Sequence, residues 1–165
     1  GAGYPNGFDM TIKVPSNYTF HMETAQVVAE QLKAAGINAK IEGIEWSSWL
    51  SDVYANRDYQ ATICALTADL TPSSLLVRFT SGYSKNFVNF SDAEYDKVYA
   101  EAQASLDDNV RKEKYAKLQQ ILAEKEGSVF IQAAALLVAK NKNLAGYKFY
   151  PVYVQDMSTV YYIKK

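Results

Sequence analysis

The sequence predicts an α/β fold in which a mainly parallel sheet is flanked by helices. Segments with strand and helix periodicity alternate in the order β-α-β-α-β before residue 67. Connections of this length return the chain so that neighbouring strands run parallel. The third strand, residues 61–66, is apolar or small on both alternating sets apart from Thr62. This pattern is typical of a strand covered on both faces, as in parallel sheets between helices.

The first strand and the first helix are separated by a change of period. Apolar residues alternate with polar ones at Phe8, Met10, Ile12 and Val14, which predicts a strand. From Phe20 to Ala35 the apolar residues recur at helical spacing, and Gly36 suits the left-handed position that ends a helix. A period of two returns at Ile37 and predicts a second strand to about Ile44.

The segment around the third strand combines a helix, a buried strand and an acid. Helical spacing of Trp46, Trp49, Leu50 and Val53 predicts a short helix before that strand. Thr71 suits an N-cap and Pro72 the first position of a further helix to about Phe79. Asp69 lies between strand and helix, and ligands of open α/β sheets bind outside the carboxyl ends of strands. We therefore expect Asp69 at a ligand-binding edge.

The second half of the chain predicts two further helices. Ser91 and Glu94 form a capping box, in which each side chain satisfies a backbone donor of the other residue. The run Asp107-Asp108-Asn109 is predicted to cap the next helix, which Gly127 ends.

The remainder of the chain predicts strands. Residues 129–131 and 133–139 are apolar runs of strand length, the second rich in alanine. Residues 141–146 predict a turn. The tail, residues 147–163, predicts strand or extended chain packed on the body of the protein.

Composition limits the class of protein. The 165 residues suit one domain or one lobe of a larger protein, and a net charge of −1 gives no electrostatic support for binding nucleic acid. No apolar run approaches the roughly 20 residues of a membrane helix. The single cysteine, Cys64, excludes an internal disulfide and is predicted to be a small core residue. Because the chain opens without methionine, we expect it to be a piece of a longer protein.

The residues of enzyme chemistry are sparse. His21 is the only histidine, far in sequence from Cys64, and its place at the start of a helix predicts an exposed or capping role. The sequence has no Cys/His cluster for zinc and no phosphate-binding glycine motif. We therefore expect no metal, no cofactor and no enzymatic activity.

Asp69 is the exception among the charged residues. It could hydrogen-bond the following turn, or it could hold a positive charge of a ligand at the edge of the sheet. A carboxylate that faces an ammonium group in a closed, water-poor cleft forms a strong charge-assisted bond, whereas an exposed pair contributes little. Position alone leaves these two roles open.

A series of segments supports a resemblance to a known family by its order and spacing. In chain order they are the strand of residues 8–14, residues 29–37, residues 45–50 (Glu-Trp-Ser-Ser-Trp-Leu), residues 57–61 (Arg-Asp-Tyr-Gln-Ala), the Ala68-Asp69 turn with Pro72, and then Asn86, Asp96, Arg111 and Tyr115. Together they resemble the carboxyl-terminal lobe of the family 5 extracellular solute-binding proteins, the oligopeptide, dipeptide and nickel receptors of ABC importers. The resemblance covers nearly the whole chain.

The resemblance implies a type II periplasmic-binding-protein fold, with residues 1–165 as a single α/β lobe of a two-lobed receptor for peptide uptake. It implies that Asp69 grips the α-amino group of a peptide, with Leu66, Thr67, Tyr83 and Asn86 as further ligand-binding candidates. The implied partners are the amino-terminal lobe of the same protein and an ABC permease in the membrane. The implied location is extracytoplasmic, in a periplasm or lipid-anchored on the outer face of the membrane.

Two positions depart from the pattern of the peptide receptors. Leu66 stands where they often have tryptophan, and Thr71 stands where an acid is usual. One alternative is therefore a receptor for a non-peptide solute, such as a sugar or a nickel chelate. Another, from a different class, is an α/β enzyme that uses Asp69 as an acid or a base.

Overall fold

The chain forms two compact units. The computed structural model describes residues 3–67, 70–133, 137–150 and 155–163. The first unit comprises Gly1–Thr67 and Ser84–Asn89, and the second comprises Ala68–Tyr83 and Phe90–Lys165. The chain therefore leaves the first unit after residue 67 and returns to it for one short segment.

The first unit contains the parallel sheet. Its elements are β1 (Phe8–Pro15), α1 (Thr19–Ala34), β2 (Ile37–Ile44), α2 (Trp46–Ser48) continued by a π-helix (Trp49–Ala55), and β3 (Ala61–Thr62). The strand order is β2-β1-β3 and both pairings are parallel. Along its whole length β1 pairs with β2, from Phe8↔Ile37 to Pro15↔Ile44. The predicted β-α-β-α-β order and the parallel sheet are confirmed.

Helix α1 covers one face of this sheet. Ile12, Val14 and Ala25 are buried at the centre of the contact, where Ala25 comes from the helix and the other two from β1. Met10, Met22, Val28 and Leu32 are among the residues packed around them. The alternating apolar residues of β1 and the apolar stripe of α1 therefore meet as the two periodicities predict.

The third strand is shorter and more exposed than predicted. Only Ala61 and Thr62 pair with β1; residues 61–64 are half-buried and residues 65–67 are exposed. The prediction of a strand over residues 61–66 buried on both faces is therefore wrong. The strand is exposed because β3 lies at the edge of the sheet and has a neighbouring strand on one side only. Beyond Thr62, Ile63 still packs against the α1 side of the sheet, and Cys64 packs against a second cluster around Trp49.

The turn between α1 and β2 brings two glycines together. Gly36 has φ +82°, as predicted for the end of the helix, and its carbonyl accepts from the Phe8 N–H at 3.3 Å. Gly7 has φ +74°, and a Cβ there would lie 1.8 Å from the Gly36 oxygen. Both positions therefore need glycine, one for its conformation and the other also for space.

The second unit is largely helical. Its elements are α3 (Pro72–Leu76) continued by a 3₁₀ turn (Val77–Phe79), α4 (Ala93–Ala104), α5 (Asp108–Glu124), and the antiparallel strands β4 (Leu144–Ala145) and β5 (Tyr161–Tyr162). The ion pairs Asp92–Lys125, Glu94–Lys117 and Glu101–Lys114 join the helices α4 and α5 and their ends, which places them antiparallel. Tyr95 is fully buried and its hydroxyl donates to the Leu76 carbonyl at 2.7 Å. No helix in the described part of the chain is long and apolar enough to cross a membrane.

The helix ends differ from the sequence prediction in detail. Asp92, rather than Ser91, caps α4 by accepting from the Tyr95 N–H at 2.9 Å, and this bond, with Lys125, lowers the pKa of its carboxyl. Thr71 occupies the N-cap position of α3, but its hydroxyl contacts neighbouring serine hydroxyls instead of a backbone N–H. Within the predicted cap of residues 107–109, Asp107 is the residue that caps α5.

The carboxyl end of α5 closes through two residues. Glu126 takes the left-handed conformation (φ 55°), and the Gly127 N–H donates to the Leu122 carbonyl at 3.0 Å. This 6→1 bond is the Schellman arrangement, so glycine ends the helix one residue beyond the left-handed position.

Of the strands predicted after α5, the described residues form only a short pair within the tail, and residues 129–131 do not form one. Residues 129–131 have no regular structure and their side chains are exposed, and residues 133 and 137–139 are irregular and exposed as well. Residues 134–136, in the middle of the second predicted strand, lie outside the described residues, as do residues 151–154 of the tail. Tyr161 and Tyr162 pair with Leu144–Ala145 but remain exposed, so the prediction that the tail packs on the body is wrong for them.

We expect Gly7→Ala to destabilise the first unit by more than about 1 kcal/mol, since alanine is strained at this φ and its Cβ collides with a backbone oxygen. The free energy of unfolding, measured by urea denaturation, checks this. Gly82→Ala is the matched control, because a Cβ there meets no atom within 4 Å. Equal effects of the two substitutions would contradict the assigned role of Gly7.

Candidate functional site

The candidate site is the carboxyl edge of the parallel sheet. Because β1, β2 and β3 are parallel, their carboxyl ends lie at one edge. We use the term carboxyl edge for the residues that follow them: 16–21, 45–50 and 63–67. This is where open α/β sheets bind ligands.

Asn17 joins the loops after β1 and β2. Its Oδ1 accepts from the Trp46 N–H at 2.9 Å, and its Nδ2 donates to the Glu45 carboxylate at 3.2 Å. Trp46 begins α2, so Asn17 satisfies a helix-terminal N–H from a different loop. The Ser16 N–H and hydroxyl both donate to the Ile44 carbonyl, at 2.8 and 3.0 Å. The two loops are therefore held as one surface.

Aromatic rings line this surface. Tyr18 and Phe20 are 40% and 47% exposed, and Trp46 is half-buried. The Tyr18 ring meets the Trp46 ring edge to face at 5.5 Å, and Trp46 stacks on the buried Trp49 at 5.2 Å. The buried Trp49 therefore holds Trp46, and Trp46 contacts Tyr18, while part of the surface of Tyr18 and Phe20 remains available to a ligand.

Sequence reasoning did not single out these three aromatic residues as site residues. The signal that could have found two of them is position, because Tyr18 and Trp46 lie within three residues of the ends of β1 and β2. Helical periodicity included Phe20 and Trp46, and the family resemblance included Trp46 in the segment Glu-Trp-Ser-Ser-Trp-Leu, but neither indicated a binding role.

His21 is buried, with 5% of its surface exposed, so the prediction of an exposed or capping histidine is wrong. Its Nε2 accepts from the Ala65 N–H at 2.9 Å, and its ring packs against Phe20 at 4.0 Å and Tyr18 at 5.1 Å. Burial lowers the pKa of the imidazole. The side chain faces inward because the segment after β3 runs beside the start of α1.

A second cluster holds residues 84–89 on the first unit. Phe87 is buried with Trp49 and Val53. The Tyr59 hydroxyl donates to the Phe87 carbonyl at 2.5 Å, and burial raises the pKa of this phenol. The Arg57 guanidinium donates to the Asn86 carbonyl at 3.1 Å. Side chains that follow the π-helix therefore fix this returning segment.

The predicted site residues do not all lie in one unit. Leu66 is 40% exposed and Thr67 is exposed, and both lie at the carboxyl edge. Asn86 belongs to the same unit but is 7% exposed. Tyr83 belongs to the second unit and is half-buried. Asp69 lies outside the described residues.

The described part of the carboxyl edge offers binding groups. It presents the partly exposed rings of Tyr18 and Phe20 and the apolar side chain of Leu66. Across the described residues, no group of three or more histidine, cysteine or acidic side chains could hold a metal ion. Such a surface can take a ligand by contact and hydrogen bonding.

Comparison with solved structures identifies the class of fold. The AppA protein of Clostridium difficile superposes with a TM-score of 0.85 at 24% identity, over 93% of this chain and 33% of that one. The oligopeptide-binding protein AppA of Bacillus subtilis, in complex with a nonapeptide, gives a TM-score of 0.73 at 24% identity, over 95% of this chain and 32% of that one. The fold is that of the periplasmic binding proteins.

The family follows from the sequence. A model of the bacterial extracellular solute-binding proteins, family 5 Middle, matches residues 1–87, and the chain belongs to this family. The sequence of the oligopeptide-binding protein AppA from Bacillus subtilis strain 168 is 29% identical over 147 residues, which is 87% of this chain and 27% of that protein. The chain thus spans about a quarter of the length of this relative. The family consists of substrate-binding proteins.

We expect Tyr59→Phe to destabilise the first unit by about 1 kcal/mol, because the Phe87 carbonyl loses the donor that fixes residues 84–89. Urea denaturation of the variant measures this. Tyr54→Phe is the matched control: Tyr54 packs in the same cluster, and within the described residues its hydroxyl has no hydrogen-bond partner. The role assigned to Tyr59 fails if both variants unfold alike.

Proposed function

We propose that residues 1–165 form one ligand-binding lobe of the substrate-binding protein of an ABC importer, and that its ligands are peptides. The observation that carries the proposal is the position of the carboxyl edge. Its loops lie within residues 1–87, the part matched by the family model, and they present fixed, partly exposed aromatic rings.

The edge suits an extended peptide. Receptors of this kind gain affinity from hydrogen bonds to the peptide backbone, while surfaces beside it accept varied side chains. The rings of Tyr18 and Phe20 and the apolar Leu66 provide such a surface at the ends of the strands. Contacts of this type favour broad selectivity for sequence.

Asp69 is proposed as the anchor of the peptide's α-amino group, with Leu66, Thr67, Tyr83 and Asn86 as further ligand-binding candidates. The support for Asp69 is its place in the family motif and its position two residues after Thr67, which lies at the carboxyl edge. A carboxylate–ammonium pair binds strongly only where water is excluded. The proposal therefore needs the amino-terminal lobe of the same protein to cover the site.

The proposed partners follow from the same role. Beyond the amino-terminal lobe, the closed receptor would deliver its ligand to an ABC permease in the membrane. The parent protein would then lie outside the cytoplasm, either in a periplasm or lipid-anchored on the outer face of the membrane.

A non-peptide solute is the second candidate. The observation that favours it is Leu66, which is 40% exposed where peptide receptors often have a tryptophan. A sugar or a nickel chelate carries no α-amino group, so its binding would not depend on Asp69.

In the intact two-lobed parent protein we expect a mixed oligopeptide library to raise the unfolding temperature. We expect Asp69→Asn to weaken peptide binding by about tenfold or more and to remove most of that rise, since the amide keeps the shape but loses the charge. Differential scanning fluorimetry and calorimetric titration measure the two quantities.

Glu113→Gln is the control, because it removes one negative charge from an exposed position on α5. The peptide proposal is wrong if no peptide in the library stabilises the intact protein. Stabilisation by a sugar or a nickel chelate that survives Asp69→Asn would establish the second candidate. Turnover of a substrate that Asp69→Asn abolishes would establish an enzyme instead.

A further inference from the structure

The His21 side chain joins the start of α1 to the segment that follows β3. It is a buried titratable side chain on α1, and within the described residues its ring makes one hydrogen bond, to the backbone of residue 65, 44 positions away. Residues 65–67 follow β3, but after Thr62 the chain no longer pairs with β1. Within the described residues, the bond from the Ala65 N–H to Nε2 therefore replaces the missing strand ladder at this point.

The direction of the bond fixes the protonation state of the ring. Because Nε2 accepts from a backbone N–H, it carries no proton, and the neutral imidazole has its proton on Nδ1. Nδ1 is buried and has no hydrogen-bond partner within the described residues. A second proton would place an N–H at Nε2 opposite the Ala65 N–H, so the charged ring and this hydrogen bond exclude each other.

We propose that His21 is a positioning residue for the ligand: it holds residues 65–67 in the binding geometry, and its protonation releases them and weakens binding. This inference rests on the proposed function, because Leu66 and Thr67 matter to a ligand only if the carboxyl edge binds one. Binding would then be tight near neutral pH and weaker in acid.

Among the described residues, the groups in contact with His21 carry no charge that would offset a protonated ring. The His21 ring packs against Tyr18, from the loop after β1, and against Phe20, from the first turn of α1. The segment after β3 contributes the Ala65 backbone N–H. Tyr18 is the only other titratable side chain among these groups. Burial alone accounts for the lowered pKa of His21.

The sign of the pH effect follows from linkage. The neutral ring is the form that binds Ala65, so the bond is fully present above the ordinary histidine pKa and is lost as the pH falls through the lowered pKa of His21. Between about pH 7.5 and pH 5, release of a group with a free pKa of about 6.5 can weaken ligand binding by up to about thirtyfold.

A titration of the chain itself tests the contact. His21 is the only histidine, so its ring ¹⁵N resonances are assigned without ambiguity. We expect the Nδ1–H tautomer at neutral pH, a midpoint below about 6.5, and an Ala65 amide resonance that moves with the same midpoint. A midpoint at or above about 6.5, or an Ala65 amide that does not follow, would overturn the proposal.

Peptide affinity of the intact parent protein, measured from about pH 7.5 to about pH 5, tests the effect on the ligand. We expect wild type to lose between about threefold and about thirtyfold in affinity. His21→Gln places an oxygen acceptor near the position of Nε2 and cannot titrate, so it should bind well at neutral pH and show no such loss. His21→Leu removes the acceptor and should bind more weakly at every pH.

The outcomes separate this inference from the proposed function. Peptide binding by wild type that does not change with pH, or an acid loss that persists in His21→Gln, overturns the role of His21 and leaves the peptide function standing. If wild type binds no peptide at neutral pH, the proposed function itself fails and the ligand role of His21 with it. His21→Gln keeps the test decisive if His21→Leu fails to fold.

Discussion

The parallel pairing of β1 with its neighbours determines where the candidate site lies. Eight residues of β1 pair with β2 in unbroken register, and α1 buries Ile12 and Val14 on one side of that pair. A shift of one residue in this register would turn those side chains away from the helix. It would also separate Asn17 from the start of α2. The packing of the apolar face therefore fixes the loops at the carboxyl edge.

Beyond the ends of the strands, the loops are held by hydrogen bonds from single side chains and not by strand pairing. Asn17 satisfies the first N–H of α2, His21 accepts from Ala65, and Tyr59 donates to the Phe87 carbonyl. Each bond joins segments far apart in sequence, so each restricts a loop at the entropic expense of one side chain. Such bonds fix the geometry of a binding surface that consists of loops on a packed sheet. Among these three bonds, only that of His21 is lost on protonation, because the proton occupies the accepting nitrogen Nε2.

Sequence reasoning succeeded where the deciding interactions are local. Periodicity predicted β1, α1 and β2 because each segment carries its own apolar pattern. It failed for residues 129–131, whose apolar side chains are exposed, because burial depends on a partner surface that a local pattern does not contain. The capping-box pattern predicted Ser91 as the N-cap of α4, whereas the adjacent Asp92 is the residue that accepts from the Tyr95 N–H. The role of His21 depends on a contact with residue 65, and no spacing rule links the two.

The proposed function requires ligands to bind at the carboxyl edge of this sheet. Hydrogen exchange of the intact parent protein, measured by mass spectrometry with and without a stabilising peptide, tests this requirement. We expect slower exchange on peptide binding in residues 16–21, 45–50 and 63–67, with no change in residues 9–11 and 38–40 near the opposite end of the sheet. Protection confined to residues 9–11 and 38–40, or absent from the whole first unit, would contradict it.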